Sequence, residues 1–362
     1  MPTVQDFYET IDHFAPFALA ESWDNVGILL GSGETPVRGA LIALDVTGEV
    51  IDEAVRMGAN LIISHHPVIF KALGRIPADS LVWRLTGERI HVVSAHTNLD
   101  IAEGGVNDVL ARRLGLAELR GLSATASEPF CKVAVMAPPQ DADAIYDAMA
   151  KKGAGCLGSY SHCGFMAGVE GRFKPLEGAR PHIGAVGALE RVEEVRLEML
   201  VSPDCLEEVL AAMRATHPYE EPAYDVYHNH ACTRTAYLGR IGRLSAPVSP
   251  EELARLVKER LGVGGVKYVA GSGPVDTVAV CGGSGADLIH TAKAMGAQAL
   301  VTGESKHNLL LDARRMGMTL IDAEHFSTEA VVLESLCERI KERIGGVPVL
   351  LSASEKSEIR YL

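Results

Sequence analysis

A strand–helix–strand pattern occurs twice in the sequence, once near each end. Residues 40–66 read ALIALDVTGEVIDEAVRMGANLIISHH, and residues 278–304 read VAVCGGSGADLIHTAKAMGAQALVTGE. Both segments run, without gaps, through an apolar strand, a glycine-containing loop, a helix, a Gly-Ala turn and a second apolar strand. Such alternation is typical of parallel strands joined by helical crossovers. The alternative is a chance resemblance between two generic β-α-β units.

The repeat continues into a third strand in each half, and a helix is predicted after each strand, at residues 106–114 and 328–343. Residues 89–95 form an apolar run that leads into His96-Thr97-Asn98-Leu99-Asp100, and residues 318–323 form one that leads into Glu324-His325-Phe326-Ser327-Thr328-Glu329. Polar residues therefore follow the strand ends, where open parallel sheets bind their ligands. We predict an α/β fold of two related halves that face one another and bring these ends together.

The segment between the halves has a different pattern. Residues 131–137 and 195–202 are predicted strands, and residues 142–152 and 204–216 are predicted helices. This order is typical of a ferredoxin-like α+β domain. We therefore predict three parts: the first half of an α/β domain (1–126), an inserted domain (127–237) and the second half of the α/β domain (238–362).

Charge and composition exclude several classes of function. The formal net charge is −13, which disfavours nucleic-acid binding, and no stretch approaches the ~20 apolar residues that span a bilayer. Seven cysteines occur without a C-x-x-C pair, which is typical of reduced thiols in the cytosol. The first residues lack the basic and apolar regions of a signal peptide. We expect a soluble, cytoplasmic protein without a membrane partner.

His65 and His66 follow the predicted strand at residues 60–64, and Pro67 ends it. Neighbouring side chains on an extended chain point to opposite sides, so two adjacent histidines can address two different centres. The alternative is a pair of solvated histidines in a loop.

Asp100, His325 and Glu329 are the other candidate ligands. Asp100 closes the predicted loop after the next strand of the first half, where a helix N-cap or turn residue is the alternative. His325 and Glu329 are four residues apart at a predicted helix start, which places them on one helical face. An ion pair on the helix surface is the alternative there.

Together these five residues predict a metal centre. Three imidazoles and two carboxylates suit zinc, manganese, iron or nickel, and the absence of cysteine argues against a structural thiolate zinc site. Five ligands are too many for one tetrahedral ion with an open position, but they suffice for two divalent ions ~3.5–4 Å apart. Zinc is the first choice among these metals.

Five short motifs, in this order along almost the whole chain, resemble those of the interacting-factor-three-like dinuclear metal family, often labelled GTP cyclohydrolase I type 2-like. They are Ser22-Trp23-Asp24-Asn25-Val26-Gly27, Ser64-His65-His66-Pro67, His96-Thr97-Asn98-Leu99-Asp100, Thr302-Gly303-Glu304 and His325-Phe326-Ser327-Thr328-Glu329. The resemblance implies that Glu329 bridges two metals, that His65 and Asp100 favour one, and that His66 and His325 favour the other.

The resemblance also covers the insert. Residues 153–160 and 217–225 resemble the PII/CutA-like domain of longer bacterial members, and the family implies a ring-shaped homohexamer. One position departs from the family, which usually has glycine where this chain has Glu324. That carboxylate can add a ligand or turn outward. His307 stands where the family often has a polar partner near the metals, although it equally fits a helix face.

The remaining candidates concern catalysis. Asp24 and Asn25 are read as residues around the ligands or as substrate contacts, with an ordinary turn as the alternative. Glu304, Glu324 or His96 can move a proton. The first functional hypothesis is a metal-dependent hydrolase that acts on a nucleotide, with ring opening of GTP implied by the family label. The second is a non-catalytic metal-binding regulatory assembly.

Overall fold

The structure, a computed structural model, describes residues 1–362 apart from Glu128. The fold is mixed α/β with two β-sheets, so the predicted fold class is confirmed at this level. The chain separates into two compact units. One unit comprises Met1–Ala126 and Ala236–Leu362, and the other comprises Ser127–Thr235.

The first half of the larger unit alternates strands and helices. Its elements are α1 (Val4–Phe14), β1 (Gly27–Leu30), β2 (Ala40–Ala43), α2 (Gly48–Met57), β3 (Leu61–Ser64), α3 (Leu81–Gly87), β4 (His91–Ser94), α4 (Thr97–Ile101), α5 (Val106–Arg113) and β5 (Ala117–Ala137). The crossover helix α2 has clear sequence limits. Thr47 caps its amino terminus, and Gly58 ends it with φ of 69°.

The smaller unit takes up the end of β5 and the start of β8. Its further elements are α6 (Ala142–Lys151), β6 (Gly164–Phe173), β7 (Glu190–Val201), α7 (Leu206–Thr216) and β8 (Tyr224–Val248). Its strands lie in the order β6-β7-β5-β8. With one helix after β5 and one after β7, this is a β-α-β-β-α-β arrangement of ferredoxin-like type.

The second half of the larger unit repeats the first. Its elements are α8 (Pro250–Leu261), β9 (Lys267–Val269), β10 (Val275–Cys281), α9 (Ile289–Ala294), β11 (Ala299–Thr302), α10 (His307–Met316), β12 (Thr319–Asp322), α11 (His325–Glu329), α12 (Leu333–Arg343) and β13 (Val349–Leu351). Capping boxes start both α1 and α8, at Thr3 and Ser249.

The two sheets of this unit share one pattern. The first has the order β1-β4-β3-β2-β13 and the second the order β9-β12-β11-β10-β8. In each, three consecutive strands are parallel and the strand before them is antiparallel at the edge. The parallel strands are buried along their whole length in β2, β3, β11 and β12. This burial explains their unbroken apolar sequences.

The halves interlock through their last helices. Leu336 and Ile340 of α12 pack in the core of the first sheet. Leu110 and Leu114, within and just after α5, pack in the core of the second sheet. The strand β13 also joins the first sheet beside β2. Each half therefore completes the hydrophobic core of the other.

Two details differ from the sequence predictions. The helix predicted over residues 328–343 is two helices, because α11 ends at Glu329 and a 3-10 turn separates it from α12. Asp100 lies in the short helix α4 rather than in a loop. Among the helices that the structure describes, none combines the length and apolar character needed to cross a membrane.

Candidate metal centre

His65 and His66 extend from the carboxyl end of β3. His65 is fully buried, and its Nδ1 lies 2.8 Å from the carbonyl oxygen of Ala95. The Nδ1 of His66 lies 2.8 Å from Oδ1 of Asp45, and its backbone N–H donates to Leu44. Since both acceptors are oxygens, Nδ1 of each neutral ring carries the proton, which leaves Nε2 to present a lone pair to the centre.

His325 and Glu329 occupy the first and last positions of α11, one helical turn apart. Oε2 of Glu329 lies 3.0 Å from Nε2 of His325 and 3.0 Å from Nε2 of His66. Glycines of the second half make room for this helix. A Cβ on Gly283 would lie 2.0 Å from Oε1 of Glu329, and one on Gly303 would lie 2.6 Å from the Cα of His325. The repeat therefore has glycine at position 303, where the first half has His65.

Asp100 faces His65 from α4. Its Oδ1 lies 3.6 Å from Nε2 of His65, which in turn lies 3.9 Å from Oε1 of Glu329. The two oxygens of Glu329 thus face different partners, Oε1 towards His65 and Oε2 towards His66 and His325. Glu329 therefore contacts all three histidines, with a different oxygen towards each side.

The donor atoms fit a bound cation. Among the residues that the structure describes, three buried atoms of this cluster lack a hydrogen-bond partner: Nε2 of His65, Oδ1 of Asp100 and Oε2 of Glu329. Nε2 of His66 also lies 3.3 Å from Nε2 of His325. Imidazole lone pairs and carboxylate oxygens repel one another at these distances unless a positive charge lies between them. A metal ion bound here would supply that charge and use the unpaired donors.

Three overlapping groups of ligand atoms meet the spacing that one ion needs, each with its atoms within 4.8 Å of one another. They are His65, Asp100 and Glu329; His66, His325 and Glu329; and His65, His66 and His96. Glu329 belongs to two groups, and so do His65 and His66. The overlap shows that these ligand atoms form one continuous cluster and not separate sites.

The pKa values of residues in the cluster show which charge the site favours. Without a metal, burial lowers the pKa of His66, but the adjacent carboxylates of Asp45 and Glu329 outweigh burial and raise the pKa to about 10. Burial raises the pKa of Asp100, and the three histidines around Glu329 hold the pKa of that carboxylate well below its usual range despite burial. The site therefore attracts positive charge, whether as protons or as metal.

His96 faces the same centre and is held by Asp24. Its Nδ1 lies 2.8 Å from Oδ1 of Asp24, and its ring centre is 5.1 Å from that of His65. Burial opposes ionisation of Asp24, but hydrogen bonds from His96 and Thr97 dominate and lower its pKa to about 2. Asn25 donates its side-chain amide to the carbonyl of Ile69. Asp24 and Asn25 thus fix neighbouring loops rather than form an isolated turn.

Two exposed aromatic rings stand beside His96. Trp23 and Phe70 are 58% and 45% exposed. The ring centre of Trp23 lies 6.0 Å from that of Phe70 and 6.1 Å from that of His96. The Asn25 bond to Ile69 places the two rings next to each other. They form an exposed pair of rings, here called the aromatic wall, next to His96, whose own ring neighbours those of His65 and His66.

The remaining predicted residues surround His325. Oε1 of Glu304 lies 3.1 Å from Nδ1 of His325, so Glu304 orients that ring. Glu324 is buried, accepts hydrogen bonds from Ser327 and Ser357, and falls outside the ligand groups found in the described residues. His307 is exposed at the start of α10 and falls outside the ligand groups found in the described residues. A cavity of about 470 Å³ adjoins His325 and Glu304.

A sequence profile described as Duf34/NIF3 (NGG1p interacting factor 3) matches residues 2–357. The chain belongs to the DUF34/NIF3 family. The resemblance seen in the sequence motifs is therefore confirmed. A member from Bacillus subtilis (strain 168), named GTP cyclohydrolase 1 type 2 homolog, is 38% identical over 366 residues, which cover 99% of this chain and 98% of the relative.

Solved structures of DUF34/NIF3 proteins share this fold. A Bacillus cereus protein related to NIF3 superposes with a TM-score of 0.91 and is 37% identical, covering 100% of this chain and 99% of that one. A Staphylococcus aureus protein gives a TM-score of 0.72 at 30% identity, with 99% of each chain covered.

Asp45 is the main residue of this DUF34/NIF3 site that sequence reasoning passed over. Its place shortly before α2 suggests a helix-capping group, but Thr47 supplies that cap and Asp45 contacts His66. The signal was its position directly after β2, at the same edge as the histidines. Trp23 and Phe70 gave no such signal, because the local sequence does not show whether an aromatic ring is exposed.

Proposed function

We propose that this DUF34/NIF3 protein binds two divalent metal ions per chain and uses them to hydrolyse a nucleotide. The observation that carries the proposal is the convergence of buried, unpaired donors on His65, Asp100 and Glu329 in the described structure. A buried polar atom without a partner costs free energy, so such atoms are retained where a ligand will use them.

Five residues hold the metals in this proposal. His65 and Asp100 serve one position, His66 and His325 serve the other, and Glu329 joins both. A pair of divalent ions supplies Lewis acidity and lowers the pKa of a water molecule towards neutrality. Zinc is the preferred metal for this mixed nitrogen and oxygen set, and manganese, iron or nickel also suit it.

The chain's own residues orient and move protons around the centre. Asp24 holds Nδ1 of His96, so Nε2 of His96 is free to accept a proton during the reaction. Glu304 holds Nδ1 of His325 and is half-exposed at the edge of the cavity, where it can exchange a proton with solvent. His96 and Glu304 are therefore the proposed catalytic residues.

A nucleotide fits the surroundings of the site. The relatives are named for GTP cyclohydrolase, which supports a purine nucleotide and opening of its imidazole ring. Trp23 and Phe70 offer a surface on which a planar base can stack. The cavity of about 470 Å³ beside His325 has room for a small molecule. We also propose a homohexamer in the cytoplasm, with neither a membrane nor nucleic acid as a partner.

The separate compact unit at Ser127–Thr235 favours a second candidate, a non-catalytic metal-binding regulatory assembly. We retain the expected PII/CutA-like character of this unit as part of that candidate. A unit that supplies none of the five proposed ligands has another task, and effector sensing is one that does not need turnover.

Turnover discriminates between the two candidates. Full-length protein loaded with zinc, manganese, iron or nickel is incubated with GTP, other nucleotides and phosphodiesters, and products are resolved by liquid chromatography. We expect ring opening of GTP or release of phosphate by the loaded wild type. A His65→Ala, Glu329→Ala double variant is the control. If no metal gives turnover above that control, the regulatory candidate replaces the hydrolase.

A further inference from the structure

Ten residues near the end of the chain, Ser352–Tyr361, run past both halves of the candidate metal centre. They follow β13 and begin on α2 of the first half. Oε2 of Glu53 accepts hydrogen bonds from Ser352 Oγ at 2.7 Å and Ser354 N at 3.1 Å, while Oε1 accepts from Ala353 N at 3.0 Å. These bonds anchor the start of the segment Ser352–Tyr361, here called the C-terminal segment.

Glu355 of the C-terminal segment forms hydrogen bonds with the loop that contacts His66. Its carboxylate accepts the backbone N–H of Leu44 at 2.7 Å and that of Asp45 at 2.5 Å. The carbonyl of Leu44 accepts the N–H of His66 at 2.9 Å, and Oδ1 of Asp45 lies 2.8 Å from Nδ1 of His66. One carboxylate therefore fixes the peptide that contacts His66 at both its backbone and its ring.

Ser357 reaches the second half beside His325. Its hydroxyl donates to Oε2 of Glu324 at 2.8 Å. Glu324 has φ of 67°, a left-handed conformation that glycine adopts freely and other residues rarely do. The bonds from Ser357 and Ser327 compensate for that conformation. The carboxylate at this glycine-favouring position is thus explained by its tie to the C-terminal segment.

At the end of the C-terminal segment, the ring of Tyr361 packs against two glycines, Gly264 and Gly265. A Cβ on Gly264 would lie 2.3 Å from the Tyr361 ring, and one on Gly265 would lie 2.7 Å from it. The ring therefore occupies space that only glycine leaves open. Tyr361 and Ile359 also line the cavity beside His325 and Glu304.

We propose that the C-terminal segment is a positioning element of the metal centre, in which Glu355 holds the Asp45–His66 pair and Ser357 holds Glu324 next to His325. Both histidines belong to the same proposed metal position, so the segment acts mainly on that ion. The inference rests on the proposed function, because it requires that the centre bind metal. Replacement of a residue that orients a metal ligand through hydrogen bonds typically weakens metal affinity about 10–100-fold.

Zinc titration of the full-length protein in competition with a chelator tests this role. We expect Glu355→Ala to weaken one of the two zinc ions about tenfold or more and to change the other much less. Glu355→Gln keeps one acceptor oxygen and should fall between Ala and wild type. Ser357→Ala should weaken the same ion. Glu358→Ala removes an exposed carboxylate of the same segment and is the matched control.

A double-mutant cycle separates positioning from general stability. If Glu355 acts through Asp45, the combined loss of zinc affinity in Asp45→Ala with Glu355→Ala will be smaller than the sum of the two single losses. Thermal unfolding of each zinc-free variant monitors the fold. Unchanged affinity, equal weakening of both ions or additive losses would overturn the positioning role while leaving the metal centre intact. Absence of zinc binding by the wild type would instead overturn the metal centre itself.

Discussion

The proposed ligands differ in how many of the other ligands they contact. Oxygens of Glu329 lie near His65, His66 and His325, whereas His66 contacts that carboxylate through Oε2 alone. We expect Glu329→Ala to lose most of both ions and His66→Ala to lose mainly one. Elemental analysis of purified, metal-replete protein measures this difference. His307→Ala, which changes an exposed histidine near the site, should keep both ions. Full occupancy in Glu329→Ala would show that the assignment of the bridging ligand is wrong.

Trp23 is predicted to report on substrate. The chain contains two tryptophans, Trp23 and Trp83, which are 58% and 55% exposed. If a purine base stacks on Trp23, GTP should quench fluorescence in Trp83→Phe, where Trp23 is the remaining indole, but not in Trp23→Phe. Trp23→Ala should raise KM for the nucleotide by about tenfold, the loss of one stacking contact, with a smaller effect on kcat. Equal quenching in both single-tryptophan variants would count against the aromatic wall.

At the scale of elements, Glu53 joins α2 to the chain after β13. Burial opposes its ionisation, but hydrogen bonds from Ser352, Ala353 and Ser354 outweigh burial and lower its pKa to about 2. The unfolded chain binds this proton more tightly than the folded protein does. The contribution to stability is therefore complete above the unfolded value of about 4.5 and is lost as pH falls towards 2.

Glu53→Gln should accordingly reduce the free energy of unfolding at pH 7 by about 2 kcal/mol. The difference from wild type should shrink as pH is lowered from 5 towards about 2, because the wild-type carboxylate becomes protonated over that range. Urea unfolding of the metal-free protein at several pH values measures it. Glu49→Gln, at an exposed position of the same helix, should change stability less at every pH. A pH-independent difference for Glu53→Gln would contradict the ionic origin of this effect.

At the scale of the whole molecule, all five proposed ligands belong to the larger compact unit. Replacing Ser127–Thr235 with a short flexible linker should therefore leave a folded protein that still binds two ions, because compact units are usually separable at their boundaries. Circular dichroism and elemental analysis test the deletion. A deletion variant that unfolds cooperatively but carries no metal would show that the smaller unit supports the centre.

The two halves of the larger unit, in contrast to the smaller unit, are not separable. Since α12 completes the core of the first sheet and α5 that of the second, neither half has a complete core by itself. The repeat in sequence therefore does not correspond to two independent folding units. Separation of the halves would expose Leu110 and Leu336, both buried to 1% exposure or less, and fully burying such a side chain contributes about 1.5–3 kcal/mol.

The sequence alone determined the α/β class, the repeated strand–helix–strand unit and the positions of candidate ligands at strand ends. These features are local, because strand and helix periodicities and short motifs such as His65-His66 are carried by neighbouring residues. Only the tertiary structure decided which strand ends meet, since His66 and His325 are 259 residues apart yet lie in contact. The same holds for Glu355, which accepts a hydrogen bond from the backbone of Asp45, 310 residues earlier in the chain. Nor does any local pattern record the exchange of α5 and α12 between the halves, because that exchange depends on which apolar faces remain uncovered once both sheets have formed.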